Sequence, residues 1–118
     1  MSSSNDLTVK KCKPCEGGVK PLTRAESLDL LKNLPDWKIS VNAKSIYREY
    51  VMKTFLSAVD FMRGIAQIAE SENHHPDFHL TGYRNFKVEL STHAIGGLSE
   101  NDFMVAAKIE KLPKTLKG

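Results

Sequence analysis

The sequence predicts an α+β domain: a four-stranded antiparallel sheet with three helices packed on one face, in the order α-β-β-α-β-β-α. Three observations lead there. Apolar residues at 55, 58, 59, 62, 65, 66 and 69 recur at helical spacing, making Phe55 to Asn73 the longest periodic segment. Two pairs of short strand-like runs each enclose a turn, which reads as two hairpins and therefore antiparallel pairing. Capping-box patterns, Thr23-Arg24-Ala25-Glu26 and Ser99-Glu100-Asn101-Asp102, mark the starts of a first and a last helix. Helices with one apolar stripe need a sheet face to cover, which leaves the opposite face partly open.

Residues 1–20 read as a flexible arm: serine-rich, then basic, then Glu16-Gly17-Gly18. The first helix spans about 23–33, with Leu28, Leu31 and Leu34 as its apolar stripe, and stops before Pro35. Trp37, Ile39 and Val41 alternate with Lys38 and Ser40, a period-2 strand; Asn42 to Lys44 turn, and Ser45 to Met52 return. Thr54 caps the long helix. Gly64 inside it allows a close approach, and Pro76 ends it, leaving Asn73-His74-His75 as a frayed terminus. Phe78 to Thr81 and Phe86 to Thr92 form the second hairpin around Gly82 to Asn85. Gly96-Gly97 breaks the chain before the last helix, which Pro113 closes. One domain over 21–113 and a loose tail over 114–118 complete the expected organisation.

Composition excludes several classes. With 41% apolar and 26% charged residues the 118-residue chain can bury one core. No run approaches the roughly 18 apolar residues of a membrane span. The start lacks the apolar segment of a secretory signal, so a cytoplasmic location is expected, with the nucleus as the alternative. The net charge of +3 is spread along the chain rather than gathered on a basic face, which argues against direct nucleic-acid binding. Cys12 and Cys15 form a C-x-x-C without a second ligand pair, and read as reduced thiols on the arm rather than a zinc or redox site.

All four histidines, His74, His75, His79 and His93, fall between Glu70 and Gly97. Imidazole both gives and takes a proton near neutrality, so the crowding points to proton transfer or metal ligation. Zinc hydrolysis is poorly supported, because His74 and His75 are adjacent and H-E-x-x-H is absent. A Ser91–His93 nucleophile pair lacks the G-x-S-x-G elbow. If the last strand stays regular, Phe86, Val88 and Leu90 face the core while Lys87, Glu89, Ser91 and His93 face away. His93 then emerges at a strand end, and His74 and His75 at a helix end. The proton-transfer reading requires those ends to meet. Taken alone, Glu70 reads as a solvated helix residue, Asp102 as a cap, and Trp37 as core.

The pattern Glu70-x-x-x-His74-His75-Pro76, followed by Ser91-Thr92-His93 and Gly97-Leu98-Ser99-x-x-Asp102, resembles the pterin-4a-carbinolamine dehydratases. With Leu34-Pro35-Asp36-Trp37 upstream, the resemblance covers about 23–112. It implies the α+β fold, a homodimer or homotetramer, and dehydration of a 4a-hydroxytetrahydropterin to quinonoid dihydropterin in tetrahydrobiopterin recycling. It implies no metal and no cofactor, the pterin being the substrate. Carried over by position, His74, His75 and His93 are the active-site histidines; Asn73, Ser91, Thr92 and Ala94 line the pterin pocket; Trp37, Glu70 and Asp102 lie in or behind it. His75 and His93 are expected as the acid–base pair, with His74 orienting. The alternatives are pterin binding without turnover, and service as a dimerisation cofactor for a homeodomain transcription factor, which nothing in the sequence favours.

Overall fold

The structure is a computed structural model that describes residues 20–118. The arm expected over residues 1–20, with Cys12 and Cys15, lies outside the described residues except for Lys20. The elements are α1 (Arg24–Leu31), β1 (Lys38–Ile39), β2 (Ile46–Val51), α2 (Phe55–Glu72), β3 (Asp77–Thr81), β4 (Asn85–Leu90), a short 3-10 helix (His93–Ile95) and α3 (Glu100–Lys111). The expected order and fold class stand. The four strands form one antiparallel sheet in the order β1-β2-β4-β3.

Register explains the two faces of that sheet. Ile46 opposes Leu90, Arg48 opposes Val88, and Tyr50 opposes Phe86; Phe78 and Leu80 continue the same rows on β3. This face carries the core: Ile46, Tyr50, Phe86, Val88 and Leu90 are buried. Phe61 of α2 meets both Tyr50 and Phe86 edge-on, at centroid distances of 5.0 and 5.7 Å, an arrangement that favours aromatic quadrupoles. The other rows, Tyr47, Glu49, Val51, His79, Thr81, Lys87 and Glu89, line the open face.

α3 is the central helix. Every residue from Asn101 to Ala107, and Ile109, is buried. Gly64 permits α2 to approach its end: a Cβ there would lie 3.3 Å from Leu112 Cδ1. Lys108 Nζ donates to Glu72 Oε2 at 2.6 Å, tying α3 to the last turn of α2. No helix among the described residues is long and apolar enough to cross a membrane.

Four local expectations are corrected. β1 is only two residues long, and Val41 is 96% exposed instead of continuing it. Ser40 accepts from the amides of Lys44 and Ser45, and Asn42 accepts from Lys44, so a side-chain-directed turn begins where the alternation suggested strand. In α1 the expected stripe holds at Leu31, packed on the core, and Leu34, buried, but fails at Leu28, which is exposed while Ser27 is buried. The end of α2 is not frayed. The tail is pinned to the sheet, with Lys53 N–H donating to Thr115 O and Lys117 N–H to Val51 O.

Candidate active site

The α2 terminus is shaped by a Schellman motif. Asn73 adopts a left-handed conformation (φ 52°), its N–H donates to Glu70 O, and the His74 N–H donates to Ala69 O. Asparagine tolerates this conformation better than most residues, and the two bonds satisfy carbonyls that the helix would leave unpaired. The reversal sends the His74 side chain toward the start of α3.

There it meets Asp102. His74 Nε2 lies 2.6 Å from Asp102 Oδ1, and the Asp102 side chain is fully buried while His74 is 12% exposed. A buried carboxylate needs partners for both oxygens. Asp102 Oδ2 accepts from the Ser99 N–H at 3.0 Å, as the third residue of the α3 capping box, and from Thr92 Oγ1 at 2.8 Å. The helix N-terminus adds a favourable field for negative charge.

Thr92 reaches Asp102 because β4 stops at Leu90. Its partner strand begins at Ile46, opposite Leu90, so no ladder exists beyond that pair. Thr92 instead pairs with Gly97, exchanging N–H···O bonds of 2.8 and 3.4 Å, and closes a loop around the 3-10 helix. Gly96 turns that loop at φ 67°. Gly97 admits the N-terminal segment: a Cβ there would sit 2.8 Å from Pro21 Cβ, and Leu22 N–H donates to Leu98 O. His93 is therefore not the next outward residue of a regular strand, which corrects the parity expectation. It is the exposed first residue of the 3-10 helix.

His75 follows His74 outward and is 56% exposed, with Nε2 2.6 Å from Glu70 Oε2. Glu70 thus holds the second imidazole from the last turns of α2. Asn73 and Ala94 are exposed and Ser91 is half-buried beside Thr92. The helix end and the loop after β4 are joined through His74, Asp102 and Thr92, so His75 and His93 each adjoin a member of one bonded group.

Trp37 is bonded near the other end of α3 from Asp102. It is buried, and its Nε1–H donates to Glu110 Oε2 at 3.1 Å. Glu110 also accepts from Tyr50 Oη at 2.6 Å and from Arg48 at 2.8 Å, and the Arg48 guanidinium sits 4.4 Å from the Tyr50 ring centroid. Burial, then the bond to Glu110, pushes the Tyr50 phenol far above its usual range. The sequence reading missed Arg48 and Glu110. The available signal was parity: Arg48 lies between Ile46 and Tyr50 on the core face, where a cation needs a carboxylate. His79 is on the open sheet face, 3.9 Å from Glu89, beside a groove of about 450 Å³ lined by Glu49, Val51, Thr81, Asn85 and Lys87. That groove contains none of the other three histidines. Among the described residues no three His, Cys, Asp or Glu side chains gather at metal-binding spacing.

Comparison with known proteins decides the family. The model described as Pterin 4 alpha carbinolamine dehydratase matches residues 20–112. This chain belongs to that family. The carbinolamine dehydratase match spans every site residue discussed above. A Nitrosomonas europaea relative, provisionally named a pterin-4-alpha-carbinolamine dehydratase, is 47% identical over 116 residues, covering 98% of this chain and 100% of its own. The mitochondrial pterin-4-alpha-carbinolamine dehydratase 2 of Arabidopsis thaliana is 44% identical over 110 residues, covering 91% of this chain and 59% of its own. Among solved structures, a transcriptional coactivator/pterin dehydratase from Brucella melitensis superposes with a TM-score of 0.71 at 32% identity, covering 77% of this chain and 96% of that one.

Proposed function

We propose that this chain dehydrates a 4a-hydroxytetrahydropterin to quinonoid dihydropterin by histidine general acid–base catalysis, as a step in recycling tetrahydrobiopterin. The observation that carries the reading is the bonded group His74–Asp102–Thr92, which ties the helix end bearing His75 to the loop bearing His93. The names of its relatives support the same chemistry.

The reaction breaks the C4a–O bond and removes the N5 proton. An imidazolium gives its proton to the departing hydroxyl, which leaves as water. A neutral imidazole takes the proton from N5 as the C4a=N5 bond forms. The exposed His75 and His93 are assigned these roles, and the anchored His74 orients the substrate. Asn73, Ser91 and Ala94 are assigned to the pocket wall, and Glu70 to holding His75. No metal or cofactor is required by this scheme. Each positioned acid or base is typically worth about 10²–10⁴ in rate. Stopped-flow measurement of carbinolamine loss tests it: acceleration over the spontaneous reaction supports dehydration, and binding of pterin without acceleration contradicts it.

A second reading has one observation behind it, the Brucella protein's description as a transcriptional coactivator. It assigns this chain a dimerisation role for a transcription factor, through a homodimer or homotetramer that exchanges subunits. Capture of such a factor by a variant without turnover tests it. A cytoplasmic location is proposed for this chain, whereas the Arabidopsis relative is named mitochondrial.

A further inference from the structure

Resting on the dehydration reading, we infer that Thr92 is a positioning residue. Its hydroxyl, oriented by Ser99, locks Asp102 so that His74 keeps a proton on Nε2 and presents Nδ1 as an acceptor. The resemblance placed Thr92 among the pocket-lining residues. Its geometry assigns the side chain a different task, because Thr92 is buried and its hydroxyl faces Asp102 and Ser99.

The direction of every proton in the group follows from its donors. The Ser99 N–H can only donate, and it donates to Asp102 Oδ2. An ionised carboxylate can only accept, so the single Thr92 proton is committed to the same Oδ2. The contact of 2.8 Å between Thr92 Oγ1 and Ser99 Oγ then has one solution: Ser99 donates and Thr92 accepts. Both oxygens of Asp102 are now assigned, and Oδ1 is left for His74 Nε2. The proton between them is carried by the imidazole nitrogen, since an ionised carboxylate has none to give. His74 therefore carries Nε2–H, and Nδ1 is left as the ring nitrogen that can accept.

A tautomer fixed in this way matters for orientation. A neutral His74 presents Nδ1 as an acceptor, ready to hold an N–H or O–H of the substrate. Without the Thr92 hydroxyl, Asp102 Oδ2 retains only the Ser99 N–H, the carboxylate is free to rotate about its last torsion, and the ring loses its fixed acceptor. Burial magnifies the effect, because donors and acceptors away from water have no substitutes.

The test combines nitrogen-15 NMR of the histidine rings with steady-state kinetics on the full chain. Wild type should show His74 with Nε2 protonated. Thr92→Val should lower kcat by about tenfold, a fraction of what one positioned acid or base contributes, with KM changed less than about twofold. The same variant should show a mixture of His74 tautomers. Thr92→Ser, which restores the hydroxyl, should return kcat to within about threefold of wild type and the single tautomer with it. An Nδ1–H tautomer in wild type overturns the inference. So does a Thr92→Val protein with unchanged His74 resonances, or a folded Thr92→Ser protein as impaired as the valine variant. If Thr92→Val does not fold, the wild-type tautomer and the serine variant still decide. A wild type with the expected tautomer but no acceleration of carbinolamine loss overturns the dehydration reading and supports the lock.

Discussion

Asp102 and Glu110 lie on the same helix, about 12 Å apart along its axis at 1.5 Å per residue, and each collects donors from other parts of the chain. Their partners differ in kind. Glu110 is surrounded by groups that give a hydrogen bond and do not change state near neutrality: the indole of Trp37, the guanidinium of Arg48 and the Tyr50 phenol, whose ionisation is pushed far upward. Asp102 holds His74, whose ring has a second nitrogen that can bond a further group. One end of α3 thus joins groups that only donate there, and the other fixes one side of an imidazole and leaves its second nitrogen to act. A buried carboxylate alone does not mark a site; the chemistry of what it holds does.

The largest effect should come from removing an imidazole at the Asp102 end. His93→Ala is expected to lower turnover by about 10²–10⁴ while thermal unfolding stays near wild type, because His93 is exposed and the acid–base contribution is lost with it. Stopped-flow rates and circular dichroism melts check both halves. Undiminished turnover would break the assignment.

Glu110→Gln should move stability instead. The amide weakens three charge-assisted contacts, including the partner of the half-buried Arg48, and is expected to cost about 2 kcal/mol by urea denaturation with kcat within about twofold. A raised KM would instead support the place in the pterin pocket that the resemblance implied for Trp37.

The smallest effect sharpens the comparison through pH. Folded Tyr50 holds its proton above its ordinary value, whereas the unfolded chain releases it near pH 10. Above that pH the folded state binds more protons than the unfolded one, so stability is full below pH 10 and falls as pH rises past it. Tyr50→Phe should lose about 1.5 kcal/mol at pH 7, the lower end for a hydrogen bond to a charged group, and show a shallower alkaline decline. Equilibrium unfolding at pH 7 and pH 11 checks the two slopes; parallel declines would contradict it.

Much of this arrangement is legible in the sequence where a local rule governs. The Thr23 and Ser99 capping boxes, the cap at Thr54 and the long helix after it follow from spacing alone, and the structure forms them. Local rules fail where a distant partner decides. Val41 continues an alternation, yet Ser40 and Asn42 bind the backbone first and the chain turns. His93 fits the parity of β4, yet the ladder ends where β2 begins. Lys114 and the residues after it look like a tail, yet they pair with the end of β2. The candidate site residues stand out in the sequence by kind and by resemblance. Their bonds do not, because the capping role of Asp102 gives no hint that its other oxygen reaches His74.

The most direct measurement is the rate of carbinolamine loss with Asp102→Asn set beside Glu110→Gln, at a temperature where both are folded by circular dichroism. An amide at 102 keeps its oxygen for the Ser99 N–H and turns its NH2 toward His74 Nε2, which then accepts only in the opposite tautomer, so the Nδ1 acceptor is lost. The account predicts a loss of at least about tenfold for Asp102→Asn and less than about twofold for Glu110→Gln. Equal losses, or a greater loss at Glu110, would contradict it.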